Sequence, residues 1–265
     1  MGLKRYLRIY RHYFVQYLKS RLVYQGDTYI NFVGRFIEVA SSVAFLGLIF
    51  TQVEQIQGWT FNELLFLAGF GGTIMNLHHF FFMNIYRFGE DYVLSGDFDR
   101  FLVRPLNPLF QVYADGVNDS SIPKLIGNFA MMVYAASALG IAVTPAKILY
   151  LVPAVVSGVL VFASIYLAFS ATAFWLGKSQ QLIWVLFNIS DFRKYPYGIY
   201  ALPVQVLLIT LIPFAFATFF PATYFLQKGD WGTMQMLSLV AGPVFFSIAY
   251  RFWQHGVENY SSTGS

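Results

Sequence analysis

The chain has 265 residues, of which 57% are hydrophobic and 11% charged, with a mean hydropathy of +0.55; soluble domains carry about 25% charged residues, so a water-soluble globular fold is excluded. Cysteine is absent, which removes disulfides, thiolate metal sites and cysteine nucleophiles, and the 20% aromatic share suits side chains that meet lipid tails and headgroups. The net charge of +4 reads as a membrane-topology signal and leaves little support for a nucleic-acid partner.

The start, MGLKRYLRIYRHYF, is basic and amphipathic but lacks the uninterrupted apolar core and cleavage site of a secretory signal, and Tyr6 stands where a myristoylation site needs Ser or Thr. Leu3, Leu7, Tyr10, Phe14 and Leu18 recur at helical spacing, with Lys4, Arg5, Arg8, Arg11 and Lys19 around the rest of the helix. This pattern predicts an interfacial helix within residues 1–28, serving as a surface anchor or as a docking element for a partner.

A hydrocarbon core needs roughly 20 mainly apolar helical residues to cross it. Six segments meet that length, at about 29 to 53, 61 to 85, 124 to 144, 148 to 176, 200 to 220 and 234 to 254. The predicted class is therefore all-α: a six-span bundle over 29–254 with both termini on one side and a polar tail over 255–265. Of the 17 Lys and Arg residues, fourteen fall on the side of the termini, including those from Lys178 through Lys194, against Lys147 and Lys228 on the other. That bias predicts a multi-pass protein of the plasma membrane, the inner membrane in a bacterium, with cytosolic termini.

Within the first span Arg35 and Glu38 lie three apart on one face, as a snorkelling interfacial pair or as the lining of a polar substrate entrance between subunits. Small residues four apart (Ala68 and Gly72, Ala136 and Gly140, Ala154 and Gly158, Ser164 and Ala168) are candidate helix contacts. His78 and His79 point about 100° apart with no acid beside them, so no metal site is predicted. The run Gly177, Lys178, Ser179 ends like a nucleotide phosphate loop, but Thr172 occupies the first glycine position and the preceding residues form an apolar helix. In the fifth span Pro213 is expected to kink the helix near Ile209. Around it Phe214, Phe216, Phe219, Phe220 and Tyr224 either gate an apolar route or form an interfacial belt.

The connection from about 89 to 123 is the longest in the chain and contains GDFDRFLVRPLNP from Gly96. With the basic amino-terminal helix and the blocks YPYGIY from Tyr195 and IPFAFATFFPATYFL from Ile212, this loop resembles the permease subunits of the second superfamily of ATP-binding-cassette exporters, in the six-span branch without a fused ATPase. The resemblance implies two permease chains, identical or homologous, above cytosolic ATPase subunits that hold ATP and Mg, with no cofactor or catalysis in this chain. It also implies a coupling helix in the loop. Phe98, Phe101 and Leu102 would be its apolar contacts to the ATPase, Asp97, Asp99, Arg100 and Arg104 its charges, and Pro105 with Pro108 its stop. The rival classes are an integral membrane lipid-modifying enzyme, which requires clustered acid, base or metal ligands at one face, and a secondary transporter, which requires ionisable residues in mid-membrane.

Overall fold

The computed structural model describes residues 3–21 and 25–262, and among these the chain consists of helices and turns without a strand. Helix α1 (Leu3–Arg21) is followed by α2 (Gln25–Phe50) and by α3 (Phe61–Phe82), which runs on through a 3-10 turn, Met83–Arg87. Thr60 and Glu63 open α3 as a capping box, the Thr60 backbone N–H donating to Glu63 Oε2 at 2.8 Å. The long loop carries the single-turn helix α4 (Asp99–Leu102) and α5 (Pro108–Ala114). Then come α6 (Ile122–Ala138), α7 (Pro145–Ala171), its short continuation α8 (Ala173–Leu176), and α9 (Gln180–Ser190). Three short pieces, α10 (Leu202–Thr210), α11 (Phe214–Ala217) and α12 (Phe219–Leu226), precede α13 (Gly232–Glu258).

Among the described residues four helical stretches are long and apolar enough to cross a membrane: Ile30–Phe50, Phe61–Arg87, Pro145–Leu176 and Gly232–Glu258. A fifth exists only if Leu202–Thr210 and Phe214–Leu226, bent by 67° at their junction, are counted as one span. The segment expected at 124 to 144 is a 17-residue helix that stops early. Gly140, at φ +63°, turns the chain, and the Ile141 N–H reaches back to the Ala136 carbonyl at 2.9 Å, closing a Schellman motif.

Helix α3 is the centre of the bundle, with α6 along one side and α7 along another, and α13 packs along α7. Backbones approach closely where side chains are smallest, since apolar surface gains little from leaving lipid. A Cβ on Gly69 would lie 2.9 Å from the Asn128 carbonyl oxygen, so α3 and α6 meet backbone to backbone there. Between α7 and α13 the Gly242 N–H donates to Ser157 Oγ at 2.8 Å, and the Ser157 hydroxyl donates to the Ser238 carbonyl at 2.5 Å. Gly72 faces Asn128 and Gly158 faces the Ala217 carbonyl, as candidate contact residues should, whereas Gly140 is a turn residue and no packing partner.

The two ends of the bundle are distinguished by what meets there. At the end opposite the long loop, Lys228 Nζ donates to the Gly58 carbonyl and to Glu63 Oε2, both at 2.6 Å, and sits 4.8 Å from the Trp59 ring. Tyr197 stacks into the same corner, 5.7 Å from Phe219 and 6.2 Å from Trp231, and Gly198 lies beside Gln57. The residues just before α10 and those just after α12 therefore lie at one end, and the bent pair enters and leaves on one side.

An unbroken fifth span over 200 to 220 with a kink near Ile209 does not form. The helix ends at Thr210 and the chain turns by 67° through Pro213 (φ −72°, ψ 48°), where the Phe214 N–H donates to the Ile212 carbonyl at 2.6 Å, an inverse γ-turn. A proline without an N–H makes that break possible. The turn reaches deep into the bundle, with the Phe214 ring 4.9 Å from Phe162 of α7. Residues 178–199, expected to stay on the side of the long loop, instead run from one end to the other. Phe187 packs 5.8 Å from His79, Ser190 Oγ lies 3.9 Å from Met75 Sδ, and Arg193 reaches the level of Gly71 before Gly198 meets Gln57. Arg193 and Lys194 consequently leave the count of basic residues on the loop side.

Candidate functional site

The loop from Ser95 to Gln111 is a rigid unit built around its aromatic side chains. Phe98 is fully buried and Phe101 nearly so. Phe98 meets Phe88 at 5.3 Å, Phe174 at 5.4 Å, Tyr260 at 5.2 Å and Trp253 at 6.0 Å, so it pins the loop to the ends of α3, α7–α8 and α13. These two phenylalanines were expected to face a partner; they face their own chain, because a single helical turn places residues three apart on one side and that side holds the aromatic pocket. Leu102 and Val103 are exposed, Val103 at 83%.

The charges are also partly committed within the chain. Arg100 donates to Asp115 Oδ2 at 3.1 Å and lies 4.9 Å over the Phe101 ring, and Tyr92 donates to the same carboxylate at 2.9 Å. Burial, with the neighbouring Asp115 carboxylate, keeps the Tyr92 hydroxyl protonated well above its ordinary range. Arg104 donates to the Tyr13 hydroxyl of α1 at 3.2 Å, and Asp99 accepts from Ser262 Oγ at 2.5 Å. Asp97 is exposed. Pro105 follows α4 without joining it, and Asn107 caps α5 by accepting from the Phe110 N–H at 3.1 Å while its amide donates to Tyr250 of α13 at 2.5 Å. Helix α1 rests on this unit through Tyr6 against Phe110, Tyr13 on Arg104 and Tyr17 on Asp119, while Leu7 is exposed; the side chains of Leu3 and Leu18 lie outside the described residues.

Sequence reasoning passed over Glu90. It sits in a π-turn, Gly89–Val93, between α3 and the loop, and its Oε1 accepts from the backbone N–H groups of Ser179 at 3.3 Å and Gln180 at 3.1 Å. A carboxylate on the first turn of α9 satisfies orphan donors and complements the helix dipole. Gly89 permits the approach, since a Cβ there would lie 2.9 Å from the Ser179 nitrogen. The Gly177-Lys178-Ser179 run is thus a turn, with Gly177 at φ +71°, that hands α8 to α9 beneath Glu90. Glu90 stands beside Asp91 in the sequence, and nothing local distinguishes the two; the partner, the turn at Ser179 and Gln180, is some 90 positions away.

A second group of charges lies within the crossing region. Glu38 pairs with Arg35 at 3.1 Å, as its spacing suggested, and also with Lys124 of α6 at 2.5 Å, which was not foreseen. Asp191 pairs with Arg193 at 3.2 Å and Lys194 at 2.9 Å. Phe216 and Phe219, candidate path residues in the sequence, are buried among Phe220, Phe245, Trp59, Tyr197 and Trp231, and Pro213 forms the turn described above.

A bundle of membrane-crossing helices with a stiff charged loop at one end and paired charges among its helices has the build of a transport permease. A family model described as ABC-2 family transporter protein matches residues 36–264, and the chain belongs to that family, as a multi-pass membrane protein. No curated protein and no solved structure matches it.

Proposed function

We propose that the chain is the membrane subunit of an ATP-driven exporter, in which two permease chains form the translocation path and separate cytosolic ATPase subunits bind ATP and Mg and perform the hydrolysis. The observation that carries this reading is the exposed apolar pair Leu102 and Val103, presented between Arg100 and Arg104 on a loop that is otherwise fixed by buried aromatics. An apolar pair on a rigid mount, ringed by charge, fits a protein surface and has no use in water.

The same reading has six crossings: α2, α3, α6, α7–α8, residues 180–198 and α13. For the fifth, eleven α-helical residues supply about 16 Å, the 3-10 turn Asp191–Lys194 about 8 Å and the extended Tyr195 and Pro196 about 6 Å, together near the roughly 30 Å hydrocarbon thickness. The basic flanks put the long loop, α1 and both termini in the cytosol, with α1 at the membrane surface and the bent pair α10 to α12 re-entering from outside. The charges at Asp191, Arg193 and Lys194 also suit an ion-coupled carrier; transport that requires the ATPase and persists without an ion gradient separates the two.

Val103→Glu tests the coupling role. The side chain touches little of its own chain, so insertion and expression should be unchanged, while a carboxylate pressed into an apolar contact should weaken ATPase binding by about 2 kcal/mol or more, at least ~30-fold. If the ATPase co-purifies undiminished with both Val103→Glu and Leu102→Glu, the loop is not its seat.

A further inference from the structure

Six charged side chains sit among the crossing helices, in two groups of the same composition. Glu38 is shared by Arg35 and Lys124, and Asp191 is shared by Arg193 and Lys194. Each carboxylate answers two bases, so each group retains one uncompensated positive charge. The groups are not at the membrane surface: Arg193 lies at Gly71, ten residues into the Phe61–Arg87 stretch, Asn128 faces the neighbouring Gly72, and Lys124 is one turn from Asn128 on the loop side.

The two groups face one region. Arg193 and Asn128 lie against adjacent residues of α3, Gly71 and Gly72, and Lys124 with its partner Glu38 follows one turn from Asn128. His79 Nε2 and Arg193 Nε are both buried without a hydrogen-bond partner, and the Arg193 side chain is only 10% exposed. A buried guanidinium that leaves a donor unused is costly unless something accepts from it. Asp191 and Glu38, by contrast, are more than half exposed, so this polar face opens outward between α2, α6 and the 3-10 turn after α9. Charges in that position cannot face hydrocarbon cheaply and therefore line a route. Around them α2 and α9 expose Phe32, Val33, Ile37, Trp184 and Val185.

From the excess positive charge, the unused Arg193 Nε donor and this apolar frame, we infer that the two groups bind the acidic headgroup of an amphiphilic substrate, with its apolar part lying along α2 and α9. Planar guanidinium and ammonium donors around an oxyanion are the chemistry that recognises phosphate or carboxylate. This rests on the transporter reading, which would leave the substrate class open without it.

The test uses the full chain in phosphatidylcholine nanodiscs and an acyl-labelled fluorescent phosphatidic acid, compared with the same label on diacylglycerol. Phosphatidic acid should bind saturably and at least about tenfold more tightly, and the Arg193→Gln Lys194→Gln variant should lose about tenfold or more, since charge-assisted contacts of this kind carry at least that factor. Arg193→Lys with Lys194→Arg should retain binding. Lys124→Gln, in the other group and partly exposed, repeats the test if the double variant fails to elute as the wild type does. Displacement of the probe by unlabelled phosphatidic acid but not by millimolar inorganic phosphate assigns the site to a lipid-like headgroup, and displacement by both assigns it to the phosphate group alone. Equal affinity for the two labelled lipids, or unchanged binding in variants that elute normally, overturns the inference. If the ATPase still assembles in that case, the exporter reading stands; if anion binding holds while no ATPase assembles, the exporter reading falls and the anion site stands.

Discussion

Replacing Glu90 by Ala removes the acceptor that holds the first turn of α9. Two backbone donors, Ser179 N–H at 3.3 Å and Gln180 N–H at 3.1 Å, lose a carboxylate partner in the same step. Each charge-assisted bond contributes roughly 1 to 2 kcal/mol net, allowing for the length of the Ser179 bond, and the lost dipole interaction adds about 0.5 kcal/mol. The sum is about 2.5 to 4.5 kcal/mol in the local opening of α9, or a ~70- to ~2,000-fold rise in the open fraction. Glu90→Gln keeps an acceptor and loses the charge, so it should fall well short of that. Amide hydrogen exchange read by mass spectrometry on peptides covering Ser179–Ile183 measures the effect without any partner or substrate. Exchange in this segment should accelerate by more than an order of magnitude in the Ala variant and by much less in the Gln variant, with α3 and α13 unchanged. Wild-type protection at Ser179 and Gln180 in Glu90→Ala would refute the claim that this carboxylate anchors α9.

Gly242→Ala should lower the thermal midpoint of the detergent-solubilised chain by several degrees, because a Cβ there runs into the Ser157 backbone and overpacking costs roughly 1 to 3 kcal/mol; an unshifted midpoint would mean that α7 and α13 separate freely. As the chain contains no cysteine, Gly198→Cys and Gly58→Cys should both react with an impermeant thiol reagent from outside intact cells, and Gly96→Cys only after permeabilisation. Protection of Gly198→Cys until permeabilisation would return residues 178–199 to the cytosol and remove the fifth crossing.

The stretches that sequence located well are those whose hydropathy and direction agree. Ile30–Phe50, Phe61–Arg87, Pro145–Leu176 and Gly232–Glu258 each keep one direction, and their expected limits lie within a few residues of these at most ends. The fifth position failed because hydropathy measures length and greasiness but not where a helix breaks. LPVQVLLITLIPFAFATFFPATYFL looks like a span and breaks at Pro213, whereas QQLIWVLFNISDFRKYPY looks like a loop, being charged in its second half, and runs along the bundle. In the loop around α4, the alternation of aromatic and charged residues was legible as one unit. Which of them turn inward was not, since Phe98 and Phe101 find their partners, Phe88, Phe174, Trp253 and Tyr260, on elements far away in sequence. Lys124 escaped notice for the same reason: its partner Glu38 is 86 positions distant.

The bent pair α10 and α11–α12 constrains how the chain is made. With 9 helical residues in its first arm, at about 1.5 Å each, that arm cannot be released sideways into lipid as a finished span, and the Pro213 turn would leave backbone donors and acceptors bare in hydrocarbon. The segment satisfies some of those groups itself, the Phe214 N–H on the Ile212 carbonyl and the Ile212 N–H on the Leu207 carbonyl, and the remainder must be kept from lipid by neighbouring helices. The walls that shelter α11 and α12 are α3 and α7, already synthesised, and α13, which emerges from the ribosome last. Membrane integration of this segment is therefore a late event that waits for the carboxy-terminal helix, and a chain truncated before Gly232 should expose its bent pair to quality-control proteases even though every earlier helix has been inserted.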